Sequence, residues 1–172
     1  MTVKSMRPHD LKRSEVNIDW ATLGFSYIRT DYRFLAHWKE GAWDAGTLTE
    51  DNVLHIAEGS TALHYGQQCF EGLKAYRHED GSVWTFRPEA NAARLNRSAR
   101  RLALPELPEE MFLGSLKAQL EADRDWVPTG EGQSLYLRPF MFATEAFLGV
   151  RPAKEVRYMV IASPAGNYFG GE

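Results

Sequence analysis

The chain has 172 residues, 44% of them hydrophobic and 25% charged, a net charge of -3 and one cysteine, Cys69. This length and composition predict a single folded domain and exclude disorder for most of the chain. The mildly acidic balance gives no global electrostatic reason to expect nucleic acid or an anionic membrane as a partner. The single cysteine cannot form an internal disulfide, which fits a reducing, cytoplasmic setting. The N-terminus shows no signal-peptide pattern, and no apolar run reaches the length of a bilayer.

Two hairpin patterns are found in the first half of the chain. Residues 25–38 are rich in aromatic and β-branched residues, and "KEGA" followed by "WDAGTLT" indicates a turn and a returning segment. The second pattern is clearer, because Asp80 and Gly81 supply a turn between "LKAYR" and "VWTFR". Residues 1–20, before the first hairpin, are expected to be a flexible arm.

A short helix is predicted between the two hairpins. Ser60 or Thr61 is suited to cap its first turn, and the helix is expected to run toward Phe70 and to end at Gly72. The thiol of Cys69 lies among apolar neighbours and is interpreted as part of the core.

Two longer helices and two strands follow. Pro88 is well placed as the first residue of a helix that runs to about Leu102, and a second helix is predicted from Pro108 to about Trp126. The segments "SLYLRPFMFAT" and "EVRYMVIAS" read as strands separated by a loop. The order of these elements predicts an α+β fold, with two helices packed on a mainly antiparallel sheet.

The first of these late strands carries an unusual mixture of side chains. Alternation places an arginine on the same face as three aromatic residues: Tyr136, Arg138, Phe140 and Phe142. A buried guanidinium is costly without a partner, so Arg138 must face water, an internal carboxylate or an anionic ligand. Pro139 cannot donate to a strand ladder and suggests an edge or a bulge. From the residues alone, an internal carboxylate is favoured over a ligand.

Other candidate chemistry is weaker. Arg94, Arg97 and Arg101 share one stripe of the first long helix, which suits a solvated face, a nucleic-acid patch or one arginine turned toward a phosphate. The solvated face is the favoured interpretation. The histidines show no metal-ligand spacing, and the sequence contains no P-loop, dinucleotide fingerprint or nucleophile elbow.

Several motifs in order carry a family resemblance. "GSTALHYGQQCFEGLKAYR", "FRPEANAARLNRSARRL", "SLYLRPFMFAT", "LGVRPA" and "SPAGNYFGG" resemble the branched-chain amino acid aminotransferases, pyridoxal-phosphate enzymes of fold type IV. The resemblance covers residues 24–171. It implies transfer of an amino group from leucine, isoleucine or valine to 2-oxoglutarate, with pyridoxal 5'-phosphate as electron sink. It also implies a small N-terminal α+β domain of a homodimer with shared active sites.

The resemblance assigns roles to individual residues. Arg94 matches the arginine that contacts the cofactor phosphate, and Tyr136 with Arg138 matches the pair that binds substrate carboxylates. Tyr65 and Phe70 match aromatic residues that line the pocket for the aliphatic side chain. Further pocket positions are matched by Val150, Tyr168 and Phe25. In the family, the tyrosine matched by Tyr65 and the loop matched at Val150 reach the neighbouring subunit's site.

One departure from the family is large. Transamination needs a lysine that forms the internal Schiff base, and the family carries it in a second, larger domain. None of the lysines of the chain lies in that motif: Lys4, Lys12, Lys39, Lys74, Lys117 and Lys154. Residues 21–163 are therefore expected to form the small domain and residues 164–172 to begin an interdomain linker. By itself the chain is expected to be inactive.

Other functions stay open at this stage. A D-amino acid aminotransferase or an aminodeoxychorismate lyase has the same fold, although the "YLRP" and "GLKAY" contexts favour the branched-chain enzyme. A non-catalytic domain that binds a partner through its aromatic face is the alternative from another class. A nucleic-acid module built on the arginine stripe is the third hypothesis.

Overall fold

The computed structural model describes residues 11 and 14–166 of the chain. The first half contains the strands β1 (Arg33–Lys39), β2 (Ala42–Trp43), β3 (Thr47–Thr49), β4 (Gln68–Phe70), β5 (Leu73–Arg77) and β6 (Val83–Thr85), together with the helix α1 (Thr61–Tyr65). The second half contains the helices α2 (Pro88–Arg101) and α3 (Glu109–Ala122) and the strands β7 (Ser134–Ala143) and β8 (Val156–Ala165). The sheet order is β2-β1-β8-β7-β5-β6, with β3 beside β1 and β4 beside β7, and every pairing is antiparallel. The predicted α+β fold is confirmed.

The long hairpin of β7 and β8 forms the centre of the sheet. The two strands pair in continuous register from Ser134 opposite Ala165 to Ala143 opposite Val156. β1 pairs with the free side of β8. On the free side of β7, β5 pairs with residues 135–137 and β4 pairs with residues 140–142. Both late strands were predicted from their apolar, β-branched composition, and both are confirmed.

The hydrophobic core lies between this sheet and the two long helices. On β7, the side chains of Leu135, Leu137 and Met141 are fully buried. They belong to the same apolar cluster as Leu95 of α2 and Phe112 of α3. Burying an aliphatic side chain of this size contributes roughly 1.5–3 kcal/mol, so the helix-covered face of β7 supplies much of the stability.

Both predicted hairpins are present. The first turns at Glu40 and Gly41, which have φ angles of 54° and 83°, the left-handed values that a two-residue hairpin turn requires. Its strand begins at Arg33, later than predicted. The amide groups of Ile28 and Tyr32 donate to the side chains of Ser163 and Asp123, so this segment satisfies its backbone outside the strand ladder.

The short helix was predicted at its start but not at its end. The Ser60 hydroxyl accepts from the amide of Ala62 and caps α1. Gly66 ends the helix with a φ of 62°, the left-handed conformation that glycine adopts without strain. The expected end at Gly72 is therefore wrong, because residues 68–70 pair with β7 as β4.

The long helices agree more closely with prediction. α2 begins at Pro88, as its fixed φ angle suggested. α3 ends at Ala122, and the segment up to Trp126 is a separate 3-10 turn rather than a continuation of the helix. Asp123, fully buried at this junction, accepts hydrogen bonds from Tyr32 and Gln119, and this fixes the helix end.

The prediction of an edge or a bulge at Pro139 is wrong. β7 is a central strand, and Pro139 lies opposite Val160 on one side. On its other side the Pro139 carbonyl accepts the Glu71 amide at 2.8 Å. Proline has no N–H with which to return that bond, so the ladder is interrupted here and residues 71–72 separate β4 from β5.

Packing extends beyond the domain limits expected from the sequence. Val16 and Ile18, within the expected N-terminal arm, pack against the core. At the other end β8 continues to Ala165, into the expected linker. Among the described residues there is no helix with the length and apolar content needed to cross a bilayer.

Candidate active site

An apolar cavity of about 200 Å³ opens on the face of the sheet opposite the long helices. Its walls are Phe25, Tyr27, Tyr136, Arg138 and residues 161–165 of β8. Phe25 meets Tyr136 edge-on, with 5.5 Å between the ring centroids. Three residues expected from the sequence, Phe25, Tyr136 and Arg138, are therefore brought together in one pocket.

Arg138 supplies the charge on the wall of this cavity. Its Nη2 and Nε donate to the Tyr136 hydroxyl at 3.0 and 3.3 Å. The guanidinium carbon lies 4.4 Å from the ring centroid of Phe70, a cation–π contact. Within the described part of the chain, no carboxylate lies at ion-pair distance from Arg138. The internal carboxylate that the residues alone favoured is not found, and an anionic ligand remains a suitable partner.

Tyr136 can approach Arg138 because residue 72 is a glycine. A Cβ atom at Gly72 would overlap the Tyr136 hydroxyl oxygen, at a separation that no real contact allows. The hydroxyl accepts from Arg138, so its own proton can be donated to a second group. Gly72 thus leaves the space in which the charged donor Arg138 and the neutral donor Tyr136 lie side by side at the cavity.

Arg94 lies on α2 and forms a different kind of pair. Its Nε and Nη2 donate to the two carboxylate oxygens of Glu71 at 2.7 and 2.6 Å. Asn91 also donates to Glu71, at 2.8 Å. The Glu71 side chain is 2% exposed, whereas that of Arg94 is 58% exposed. Hydrogen bonding to Glu71 raises the pKa of Arg94 further above its already high ordinary value.

Tyr65 and Val150 lie in a second region, away from the walls of the aromatic cavity. The Tyr65 hydroxyl donates to the carbonyl of Leu148 at 2.6 Å, which ties α1 to the loop between β7 and β8. Val150 is 86% exposed at the tip of this loop. Next to it, Arg151 forms a bidentate pair with Glu145 at 3.0 and 2.7 Å. Tyr65 of α1 and Val150 of the loop therefore line a separate cavity of about 330 Å³, whose walls these bonds help to hold in place.

The remaining candidates behave as structural residues. Cys69 is buried, and burial raises the pKa of its thiol to about 11, so it is not a nucleophile at neutral pH. His64 pairs through Nε2 with the Glu58 carbonyl at 2.7 Å. No group of acidic, histidine or cysteine side chains in the described residues could hold a metal ion. Tyr168 lies outside the described residues.

Two contributors were not recognised in the sequence. Glu71, buried beneath Arg94, was not assigned a role, although a glutamate in an otherwise apolar run was the available signal. The wall from β8, including Ile161 and Ser163, was also missed. No local pattern distinguishes a pocket-facing strand residue from any other partly exposed one.

The chain has relatives among known proteins. No family model matches the chain. It is 56% identical over 156 residues to the branched-chain-amino-acid aminotransferase of Haemophilus influenzae. The matched region covers 90% of this chain and 46% of that protein. It is 49% identical over 156 residues to the enzyme of Helicobacter pylori, with the same coverage of 90% and 46%. The chain spans about half the length of the relatives it matches.

Solved structures show the same fold. The branched-chain amino acid aminotransferase of Escherichia coli matches with a TM-score of 0.64 and 24% identity over 83% of this chain and 42% of that one. A second branched-chain amino acid aminotransferase, solved with pyridoxamine 5'-phosphate, matches with a TM-score of 0.58 and 26% identity, over 78% of this chain and 41% of that one. By sequence and by fold, the chain is homologous to the N-terminal portion of the branched-chain-amino-acid aminotransferases.

Proposed function

We propose that this chain is the N-terminal part of a cytoplasmic, homodimeric branched-chain amino acid transaminase that uses 2-oxoglutarate as amino acceptor. The observation that supports this most directly is the position of Arg138. It carries a guanidinium without a carboxylate partner among the described residues, and it lies on the wall of an apolar cavity. A branched-chain amino acid offers the complementary groups, a carboxylate attached to an aliphatic side chain.

In this proposal Arg138 and Tyr136 bind the substrate carboxylate. The planar guanidinium suits a carboxylate in a bidentate arrangement, and the Tyr136 hydroxyl adds a neutral donor. Phe70, stacked against Arg138, limits the directions in which the guanidinium can point. The same pair can bind the α-carboxylate of an amino acid in one half-reaction and that of a 2-oxo acid in the other.

The aliphatic side chain is assigned to the apolar residues. Phe25 and Phe70 are placed beside the carboxylate-binding pair in the same subunit. The exposure of the Tyr65 and Val150 side chains, 49% and 86%, supports their proposed contact with the site of the neighbouring subunit. Tyr168 is proposed as a further wall of this pocket. Apolar walls exclude water and select against charged side chains.

Arg94 is proposed to hold the phosphate of pyridoxal 5'-phosphate. The fit rests on an exposed guanidinium with a fixed orientation, because Glu71 occupies Nε and Nη2 and the outer edge remains accessible. When bound, this cofactor supplies an electron sink for the negative charge that develops at the α-carbon of the amino acid. Arg97 and Arg101 keep the solvated-face interpretation.

The lysine that transamination requires is proposed to come from a large domain outside residues 1–172, joined through a linker that starts after the end of β8 at Ala165. No lysine of the described residues lines the aromatic cavity. Lys39 and Lys117 instead pair with Glu155 and Glu121 at the surface.

A substrate panel tests the proposal with the full-length protein that carries this sequence. Reaction with L-leucine, L-isoleucine or L-valine plus 2-oxoglutarate, monitored by glutamate formation, is the expected result. Activity with D-alanine only, or pyruvate release from aminodeoxychorismate, would instead indicate one of the other fold type IV enzymes. A protein that neither binds pyridoxal 5'-phosphate nor transaminates any of these substrates would be a non-catalytic domain.

A further inference from the structure

We propose that Glu71 is a positioning residue that fixes the guanidinium of Arg94 for binding the cofactor phosphate. The inference rests on the proposed function, in which Arg94 contacts that phosphate. It adds a residue to which the sequence comparison assigned no role, and it predicts how that residue acts.

The pair is strongly asymmetric in its exposure to water. The Glu71 carboxylate is buried and receives three hydrogen bonds of 2.6 to 2.8 Å, two from Arg94 and one from Asn91. Arg94, by contrast, has most of its side chain in solvent. A surface ion pair has two mobile partners, whereas here one partner is fixed and the other is presented outward.

The geometry defines which donors remain for a ligand. A guanidinium has five N–H donors in one plane, and the bond pair to Glu71 uses two of them. The other three lie on the outer edge, and their plane is set by the carboxylate. Without Glu71 the same side chain could rotate about several bonds, and phosphate binding would have to restrict that freedom.

Glu71 also connects the two proposed anion sites. Its amide donates to the Pro139 carbonyl at 2.8 Å, next to Arg138 on β7. The following residue, Gly72, provides the space for the Tyr136 hydroxyl. The two consecutive residues Glu71 and Gly72 thus contact both proposed sites: Glu71 binds Arg94, and Gly72 leaves room for Tyr136 beside Arg138.

Electrostatics and positioning predict opposite results, which makes the inference testable. Glu71 carries a negative charge beside Arg94, so charge alone predicts that its neutralisation strengthens phosphate binding. Positioning predicts that neutralisation weakens binding, because glutamine has one acceptor oxygen and places an NH2 donor where the second carboxylate oxygen accepts, so the two-oxygen pair with Nε and Nη2 is lost. Whether Glu71→Gln strengthens or weakens phosphate binding therefore distinguishes the electrostatic effect of Glu71 from its positioning effect.

The experiment compares two ligands in the apo form of the full-length protein. Pyridoxal 5'-phosphate and pyridoxal, which lacks the phosphate, are titrated into the wild type, Glu71→Gln, Arg94→Ala and the double variant. We expect Glu71→Gln to weaken pyridoxal 5'-phosphate binding about tenfold and to change pyridoxal binding less than about twofold. The double variant is expected to lose no more than Arg94→Ala alone, because Glu71 acts through Arg94.

Two further variants guard against a general structural effect. Glu145→Gln breaks another bidentate glutamate–arginine pair, with Arg151, and is expected to leave the ratio of the two affinities unchanged. If Glu71→Gln does not fold, Asn91→Ala removes one bond to the same carboxylate, and a smaller loss specific to the phosphate-bearing ligand is expected.

Each result has a defined consequence. Unchanged or tighter pyridoxal 5'-phosphate binding in Glu71→Gln, with a clear loss in Arg94→Ala, overturns the role of Glu71 and leaves the proposed function intact. Equal weakening of both ligands in Glu71→Gln also overturns it. A wild-type protein that binds neither ligand overturns the proposed function itself.

Discussion

The two faces of strand β7 differ in how completely their side chains find partners within the chain. Leu135, Leu137 and Met141 are fully buried in the apolar core cluster that also includes α2 and α3 residues. Tyr136 and Arg138, which alternate with them, line a cavity, and the arginine has no carboxylate partner in the described structure. The buried face therefore supports stability, and the proposed function assigns ligand binding to the neighbouring residues of opposite orientation. Substitutions on the two faces should separate these properties.

The largest effect is expected from Arg138→Met on the cavity face. Loss of the guanidinium leaves a substrate carboxylate without its charged donor, so kcat/KM for L-leucine should fall by about two to three orders of magnitude, roughly 3–4 kcal/mol. Unfolding free energy should fall by only about 1 kcal/mol, because no ion pair among the described residues is broken and only the contacts with Tyr136 and Phe70 are lost. Steady-state kinetics of the full-length protein and urea unfolding measure both. A large stability loss with retained activity would reverse the assignment of the two faces.

The adjacent substitution Leu137→Ala tests the core face. Truncating this fully buried side chain leaves a cavity and should lower the unfolding free energy by about 3 kcal/mol. The matched control is Leu63→Ala, since Leu63 is 61% exposed and its removal should cost little. Urea unfolding provides the measurement, and similar losses in both variants would contradict the burial pattern.

A pH-dependent effect of intermediate size is expected at Asp123, on the helix side of the sheet. Burial raises the pKa of this carboxyl from its ordinary 3.8 to about 7, despite hydrogen bonds from Thr30, Tyr32 and Gln119 that act against the rise. Between these values the folded chain holds a proton that the unfolded chain has released. This component of stability therefore decreases as pH rises, by about 2 kcal/mol between pH 5 and pH 7.

Asp123→Asn should lack this component. Urea unfolding at pH 5, 6 and 7 is the measurement, and the difference in unfolding free energy between wild type and variant should change across the series. A constant difference would mean that Asp123 does not titrate in this range. Cavity-face properties should be unaffected, because Asp123 is not on the wall of the aromatic cavity.

The smallest overall effect, apart from the controls, is expected from Gly72→Ala, which acts on the boundary between the two faces. The added methyl group must displace the Tyr136 hydroxyl, so KM should rise about tenfold while unfolding free energy falls by about 1 kcal/mol. Gly114→Ala is the matched control, because this position lies in α3 with open space around it, and alanine there should stabilise by up to about 1 kcal/mol. An unchanged KM in Gly72→Ala would show that Tyr136 adapts freely.

The elements that the sequence predicted well have local causes. Asp80 and Gly81 define a hairpin turn in themselves, and Pro88 fixes the first φ angle of α2. The elements predicted wrongly depend on distant partners. α1 ends at Gly66 rather than Gly72 because residues 68–70 pair with β7, which lies much later in the chain. β1 begins late because Asp123 and Ser163 bind the backbone that precedes it.

Residue order alone was enough to predict the fold class, the alternating faces of β7 and, through ordered motifs, the similarity to the branched-chain aminotransferases. These follow from residue periodicity and from local order along the chain. The packing of the elements was needed to show that Arg94 pairs with a buried Glu71 while Arg138 has no carboxylate partner among the described residues. Both are arginines beside apolar residues, and the neighbours that distinguish them come from other elements. The charge environment of a side chain is set by three-dimensional proximity, which residue order does not encode locally.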